Sequence, residues 1–107
     1  MGTGSRFPAS WQRAMLPMLL LDQLAAGPAH GYAISKALEG RGLDPLKGAT
    51  LYPALGKLEA SGWVSTMWEE GQSGPGRKVY ELTSSGKAEL DEQKRLFSQF
   101  AQLAVGG

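Results

Sequence analysis

The sequence predicts a mainly α-helical fold with one small β-hairpin, and three observations carry that reading. Apolar residues return at helical spacing in four separate stretches. Two runs rich in β-branched and aromatic residues, WVSTMWEE and RKVYELT, flank the glycine-proline segment GQSGPG. The length of 107 residues, with 42% hydrophobic and 20% charged, suits one folded domain with one modest core.

The first helix is expected from Ser10 to Ala26. Gly27-Pro28 ends it, because proline has no N–H to donate and restricts the residue before it. Pro17 lies inside, so the helix either kinks there or begins near Leu16 after a short turn. Leu16, Met18, Leu19, Leu20, Leu21 and Leu24 cover most of the wheel, which calls for burial on more than one side and points to a second subunit for one of them. A short second helix follows from about Gly31 to Glu39, with Tyr32, Ile34, Ala37 and Leu38 apolar and Ser35 and Lys36 outward.

The third helix, GATLYPALGKLEASGWV, begins somewhere from Gly48 to Thr50. At roughly 100° per residue, Leu55 and Leu58 fall within about 40° of Leu51, a core-facing stripe. The opposite side collects Pro53, Gly56, Lys57 and Ala60, flanked by Thr50 and Tyr52, and is low in relief with one ammonium. A cap at Thr50 would place Pro53 in the first turn at little cost, whereas an earlier start makes Pro53 remove one bond. Gly62 suits the left-handed residue that closes such a helix.

In the hairpin, Trp63 and Trp68 are expected on the face packed against the third helix, with Trp68 and Tyr80 holding it to the core and Arg77 and Lys78 at its tip. Thr83 reads as the N-cap of a last helix of about twenty residues. Leu90, Phe97 and Ala104 recur every seven positions there, with Leu96 and Leu103 doing the same beside Phe100. A stripe of that kind on a terminal helix calls for a partner helix. The expected division is a flexible arm over 1–9, a winged-helix domain over 10–82 and a dimerisation helix over 83–104.

Composition removes several classes of function. Zero cysteines and the single His30 leave no disulfide framework, no thiolate chemistry and no histidine or cysteine metal cluster, so no cofactor or metal is expected. His30 suits a cap or a surface position, nothing resembles a nucleophile elbow, and an enzyme is not expected. The most apolar run, MLPMLLLDQLAA, is shorter than the roughly 20 residues of a membrane span. The start MGTGSRFPAS is no secretory signal, and Arg6 stands where myristoylation needs Ser or Thr; a cytoplasmic location is expected. A net charge of +1 means that any DNA binding must come from local arrangement.

Three helices with the third followed by a hairpin give the order of a winged helix-turn-helix, whose second motif helix enters the major groove. A face meant for the groove must be slim, which suits Gly56 and Ala60 as clearance while Thr50, Tyr52 and Lys57 reach out. Arg77 and Lys78 are either groove or phosphate contacts or a solvated turn offset by Glu69, Glu70 and Glu81.

With these residues in view, the chain resembles the PadR-like transcriptional regulators. The matching pieces are LLLDQLAAGPAHGYAISKALEGRG, TLYPALGKLEASGWV and GPGRKVYELTSSGKAEL, from Leu19 to Leu90. The resemblance implies a homodimeric repressor on a near-palindromic operator in double-stranded DNA. It implies a DNA surface of Thr50, Tyr52, Lys57, Arg77 and Lys78, with Pro53 on the same crest and Tyr32 and Lys36 near phosphates. A single terminal helix looks like the shorter branch of the family, in which first and last helices build the dimer; here that assigns Leu16 and Leu20 together with Leu96, Phe97, Phe100 and Leu103.

Two features depart from the family's pattern. Lys47, Gly48 and Ala49 stand where a small polar cap followed by proline is common, and the last helix has Phe97 and Phe100 where some relatives that bind flat aromatic drugs carry tryptophans. The drug site of those relatives is therefore not carried over; a small aromatic effector that releases the DNA would have Trp11, Phe97 and Phe100 as its walls, against the simpler reading that Trp11 and Phe7 pack in the core or the arm. The rival reading is a winged helix used for protein contact, anchored by Tyr52 and Trp68.

Overall fold

The structure is a computed structural model that describes residues 5–70 and 76–106. Its elements run α1 (Ala9–Leu24), β1 (Ala29–His30), α2 (Gly31–Gly40), α3 (Gly48–Ala60), β2 (Val64–Glu69), β3 (Arg77–Leu82) and α4 (Ser84–Ala104). The glycine-proline segment GQSGPG spans 71–76, and all of it but Gly76 lies outside the described residues.

α1 is one continuous helix with Pro17 inside it, so no separate turn precedes Leu16. It touches α2, α3, α4 and β3. That central position buries Leu16, Leu20, Leu21 and Leu24 within a single chain. The four leucines meet Ile34 and Leu38 of α2, Leu51, Leu55 and Leu58 of α3, and Val64, Tyr80 and Leu90 in one core. Leu16, 4% exposed, and Leu20, 0% exposed, are therefore core residues and do not reach a partner as expected. An apolar surface on most sides of a helix needs a neighbour on each, and here the same chain supplies them.

The segment expected as an arm over 1–9 is partly built into the domain. Residues 1–4 lie outside the described residues, but the Ser5 hydroxyl donates to Asp44, Gln12 donates to the Phe7 carbonyl at 2.8 Å, and α1 begins at Ala9.

α3 begins at Gly48 with Lys47 in the cap position, so Thr50 is not its cap. The Thr50 amide instead donates to the Lys47 carbonyl at 2.9 Å. Pro53 consequently sits past the first turn and leaves one helical bond unmade. At the other end Gly62 has φ +79°, Trp63 N–H donates to Leu58 O at 3.0 Å and Gly62 N–H to Glu59 O at 2.9 Å. Those two bonds form a Schellman closure, which satisfies carbonyls that would otherwise be orphaned.

The sheet has three antiparallel strands in the order β1-β3-β2, with Thr66 opposite Tyr80 and Ala29 also opposite Tyr80. The residues Val64, Thr66, Tyr80 and Leu82 face the helices. Trp68 shares that side of β2 but lies 70% exposed, because the strand runs on past the packed layer. Tyr80 and Trp63 hold the hairpin down; Trp68 does not, contrary to the sequence expectation.

Thr83 caps α4 as expected: its hydroxyl accepts from Gly86 N–H at 3.0 Å and donates to Gly62 O at 2.7 Å. A side chain at Gly86 would run into the Trp63 carbonyl, so the start of α4 lies flush on the turn after α3. Leu90 is buried, and beyond it no residue of α4 is. The radius of gyration, 15.1 Å, exceeds the roughly 13 Å of a compact chain of this size because the second half of α4 projects from the body. No helix among the described residues is long and apolar enough to cross a membrane.

Candidate nucleic-acid interface

The leucine register of α3 decides which of its residues face outward. With Leu51, Leu55 and Leu58 committed to the core, Ala49, Pro53, Gly56, Lys57 and Ala60 form an exposed crest. Nothing lies within 4 Å of where a Gly56 side chain would stand, so this is open surface. Thr50 and Tyr52 border the crest on opposite flanks. Thr50 lines a crevice with Gln12, Arg13 and Leu46, while Tyr52 leans toward α2.

Each flank is braced. On the α2 side, the Tyr52 ring lies across Gly31, the first residue of α2, and its remaining surface is half exposed. Next to it Tyr32 is exposed, with the Lys36 ammonium 5.6 Å from its ring centroid. Lys36 also donates to Glu39 at 3.2 Å, and that bond holds its pKa above the ordinary 10.5. Lys36 is thus charged and presented on the surface beside Tyr32.

The wing is tied to α3 through Glu59 in the last turn. Glu59 accepts from the Thr66 hydroxyl at 2.8 Å and from Lys78 Nζ at 3.4 Å. The hydroxyl first, and then the ammonium, hold this carboxylate below its ordinary 4.5 against the opposing effect of burial. Lys78 also lies 5.7 Å from the Tyr80 ring centroid. The expected basic pair therefore divides: Lys78 folds back over the inner side of the sheet, whereas Arg77 on the outer side is exposed and meets no carboxylate among the described residues. Strand alternation sends neighbours to opposite faces, which two adjacent letters in a sequence do not advertise.

His30 ends β1 and stands at the N-cap position of α2, where its side chain makes no capping hydrogen bond. Its Nε2 lies 3.1 Å from Glu69 Oε1 and its Nδ1 3.4 Å from the Lys78 carbonyl, so it joins β1 to both strands of the wing. Sequence reasoning passed over three contributors: Gly31 beneath Tyr52, Glu59 beneath the wing, and exposed Lys47 at the start of α3. Only Lys47 had a local signal, a cation immediately before the helix.

The remaining candidates sit elsewhere. Leu96, Phe97, Phe100 and Leu103 are exposed on the projecting half of α4, and Trp11 is exposed at the start of α1. The crevice between Leu24, Glu81 and Lys87 and the one beside Thr50 are lined by none of Trp11, Phe97 and Phe100.

A three-helix body with an exposed second motif helix and a strapped-down hairpin defines a winged-helix protein. Residues 20–92 match the PadR-like family of transcriptional regulators, and the chain belongs to that family. It is 33% identical over 97 residues to the transcriptional regulator Rv3488 of Mycobacterium tuberculosis, covering 91% of this chain and 89% of that one. Among solved structures it resembles a PadR family transcriptional regulator from Eggerthella lenta, at 35% identity and a TM-score of 0.82 over 89% of this chain and 82% of that one. A PadR family regulator from Clostridium difficile matches at 29% identity and a TM-score of 0.72, over 87% of this chain and 99% of the other.

Proposed function

We propose that this regulator is a homodimeric repressor that binds a near-palindromic operator, with the crest of α3 in the major groove. The observation that carries the reading is that crest: a helix fixed in the core by three leucines exposes Ala49, Pro53, Gly56 and Ala60 as clearance, with Lys57 among them and Tyr52 beside them. Side chains this small let the helix backbone approach base edges, and the crest carries no carboxylate to repel phosphate. Arg77 adds a backbone or minor-groove contact from the wing, and Tyr32 and Lys36 add phosphate contacts from α2.

The dimer forms through Leu96, Phe97, Phe100 and Leu103. Four large apolar side chains in one exposed stretch of helix are supported as an interface by the cost of leaving them in water, roughly 1.5 to 3 kcal/mol each. A dimer would also bring Trp11, Phe97 and Phe100 of two copies into reach of a small aromatic effector whose binding releases the DNA.

Selection from a randomised duplex pool with the purified protein tests the reading. Enrichment of a near-palindrome with half-sites about one helical turn apart is the expected result; an unenriched pool refutes sequence-specific binding. A second reading, a winged helix for protein contact, is favoured by the exposure of Met67 and Trp68. It requires binding that is nearly insensitive to salt, whereas phosphate contacts make affinity fall steeply.

A further inference from the structure

Gly31 has no backbone reason to be glycine. Its φ is not positive, it is the first residue of a regular helix, and alanine is the better helix former there. What distinguishes the position is space. A Cβ at Gly31 would stand 2.6 Å from Tyr52 Cε1 and 2.9 Å from its hydroxyl oxygen, separations too short for a real methyl group, and a tight 3.0 Å from Cζ. On its other side the ring rests near Gly48, where a Cβ would meet it at an ordinary 3.6 Å.

The clash therefore falls on one object, the outer end of the Tyr52 side chain. Tyr52 is 49% exposed, so its ring has solvent to move into and the helices need not separate. The fold would tolerate the added methyl while the phenol left its seat. A group that reads base edges or phosphates works only within a fraction of an ångström of its proper place.

We propose that Gly31 is a positioning residue for DNA recognition: its missing side chain lets the Tyr52 ring lie across the start of α2 and directs the phenol toward the duplex. This rests on the placement of α3 at DNA given above. It also joins two separate sequence pieces, AHGY and TLYP, into one structural unit, with α2 acting as the rest for a side chain of α3.

The test is a double-substitution cycle on the full-length protein, with affinities measured for the selected operator and for a scrambled duplex of the same length. In the native background Gly31→Ala should weaken operator binding by about tenfold, while scrambled-duplex affinity and melting temperature hold. In the Tyr52→Ala background the same substitution should change operator affinity by less than about twofold, because the displaced ring is already gone. Nuclear Overhauser contacts between the Tyr52 ring and the Gly31 α-protons should be present in the native chain and lost in Gly31→Ala. Should Gly31→Ala unfold the chain, adding Tyr52→Ala must restore the fold, and a double variant that stays unfolded overturns the proposal. Equal losses in both backgrounds, or equal losses on operator and scrambled duplex, make Gly31 a packing residue and overturn it too. An operator affinity untouched by Tyr52→Ala removes Tyr52 from the DNA surface and takes the proposal with it, while leaving specific binding by the rest of α3 standing.

Discussion

α3 and α4 are both amphipathic helices with a buried leucine and an exposed opposite side, yet the exposed sides are unlike. That of α3 is low, small and sparsely charged, from Ala49 through Gly56 to Ala60. That of α4 past Leu90 is tall and apolar, with Leu96, Phe97, Phe100 and Leu103 uncovered. Relief separates the two uses. A groove admits a slim helix and presents polar edges and phosphates to it, whereas a helix that exposes phenylalanines loses free energy until another apolar surface covers them. The same chain thus displays one low, sparsely charged surface and one tall apolar surface, the two that the proposed reading assigns to DNA and to a second copy.

The largest expected effect comes from charging the apolar side. Phe97→Asp with Phe100→Asp should turn the sedimenting species into monomer and weaken operator binding by 100-fold or more, since each half-site alone contributes little. The circular dichroism of the body should persist, because neither residue is in the core. A double variant that still sediments as a dimer would break the contrast between the helices.

Charge removal on the crest is the next largest. Lys57→Ala should weaken operator binding several-fold and lower the slope of log affinity against log salt by about one unit per half-site. Arg77→Ala should likewise lower the slope, with similar loss on specific and scrambled duplexes. Lys78→Ala should change the slope little, because Glu59 already neutralises that ammonium. Glu59→Gln sharpens the point by loosening Lys78, and the slope measured in salt titrations should steepen.

The smallest effect concerns how α4 is held to the body. Asp22 of α1 meets Lys94 of α4 at 2.6 Å and Arg41 at 3.0 Å, and the hydrogen bond from Lys94, opposed by burial and helped by Arg41, keeps its carboxyl below the ordinary 3.8. A carboxylate depressed on folding contributes stability above its unfolded value that is lost as pH falls through the folded one. Asp22→Asn should therefore cost about 1 kcal/mol in urea unfolding at pH 7, and the difference from the native protein should shrink below pH 4.

Features set by local spacing were readable in the sequence. Leu51, Leu55 and Leu58 announced the buried side of α3, Gly62 its closure and Thr83 the cap of α4, each from residues a few positions apart. Features set by the tertiary arrangement were not. β1 is two residues long and has no period to read. A leucine-rich α1 shows that burial is needed but not which chain provides it, so Leu16 and Leu20 went to the wrong surface. Trp68 looks like a core aromatic until the strand is seen to outrun the helices. The contacts of Gly31 with Tyr52 and of Glu59 with Lys78 join distant segments, and no local pattern encodes them.

Amide chemical-shift mapping of the protein on titration with the selected operator tests the division between the two helices most directly. The expected shifts concentrate on Ala49, Gly56, Lys57 and Ala60 of α3 and on Arg77, while residues 96–103 of α4 stay where they were. Shifts centred on Met67 and Trp68 or on the α4 stripe, with the α3 crest unmoved, would contradict it.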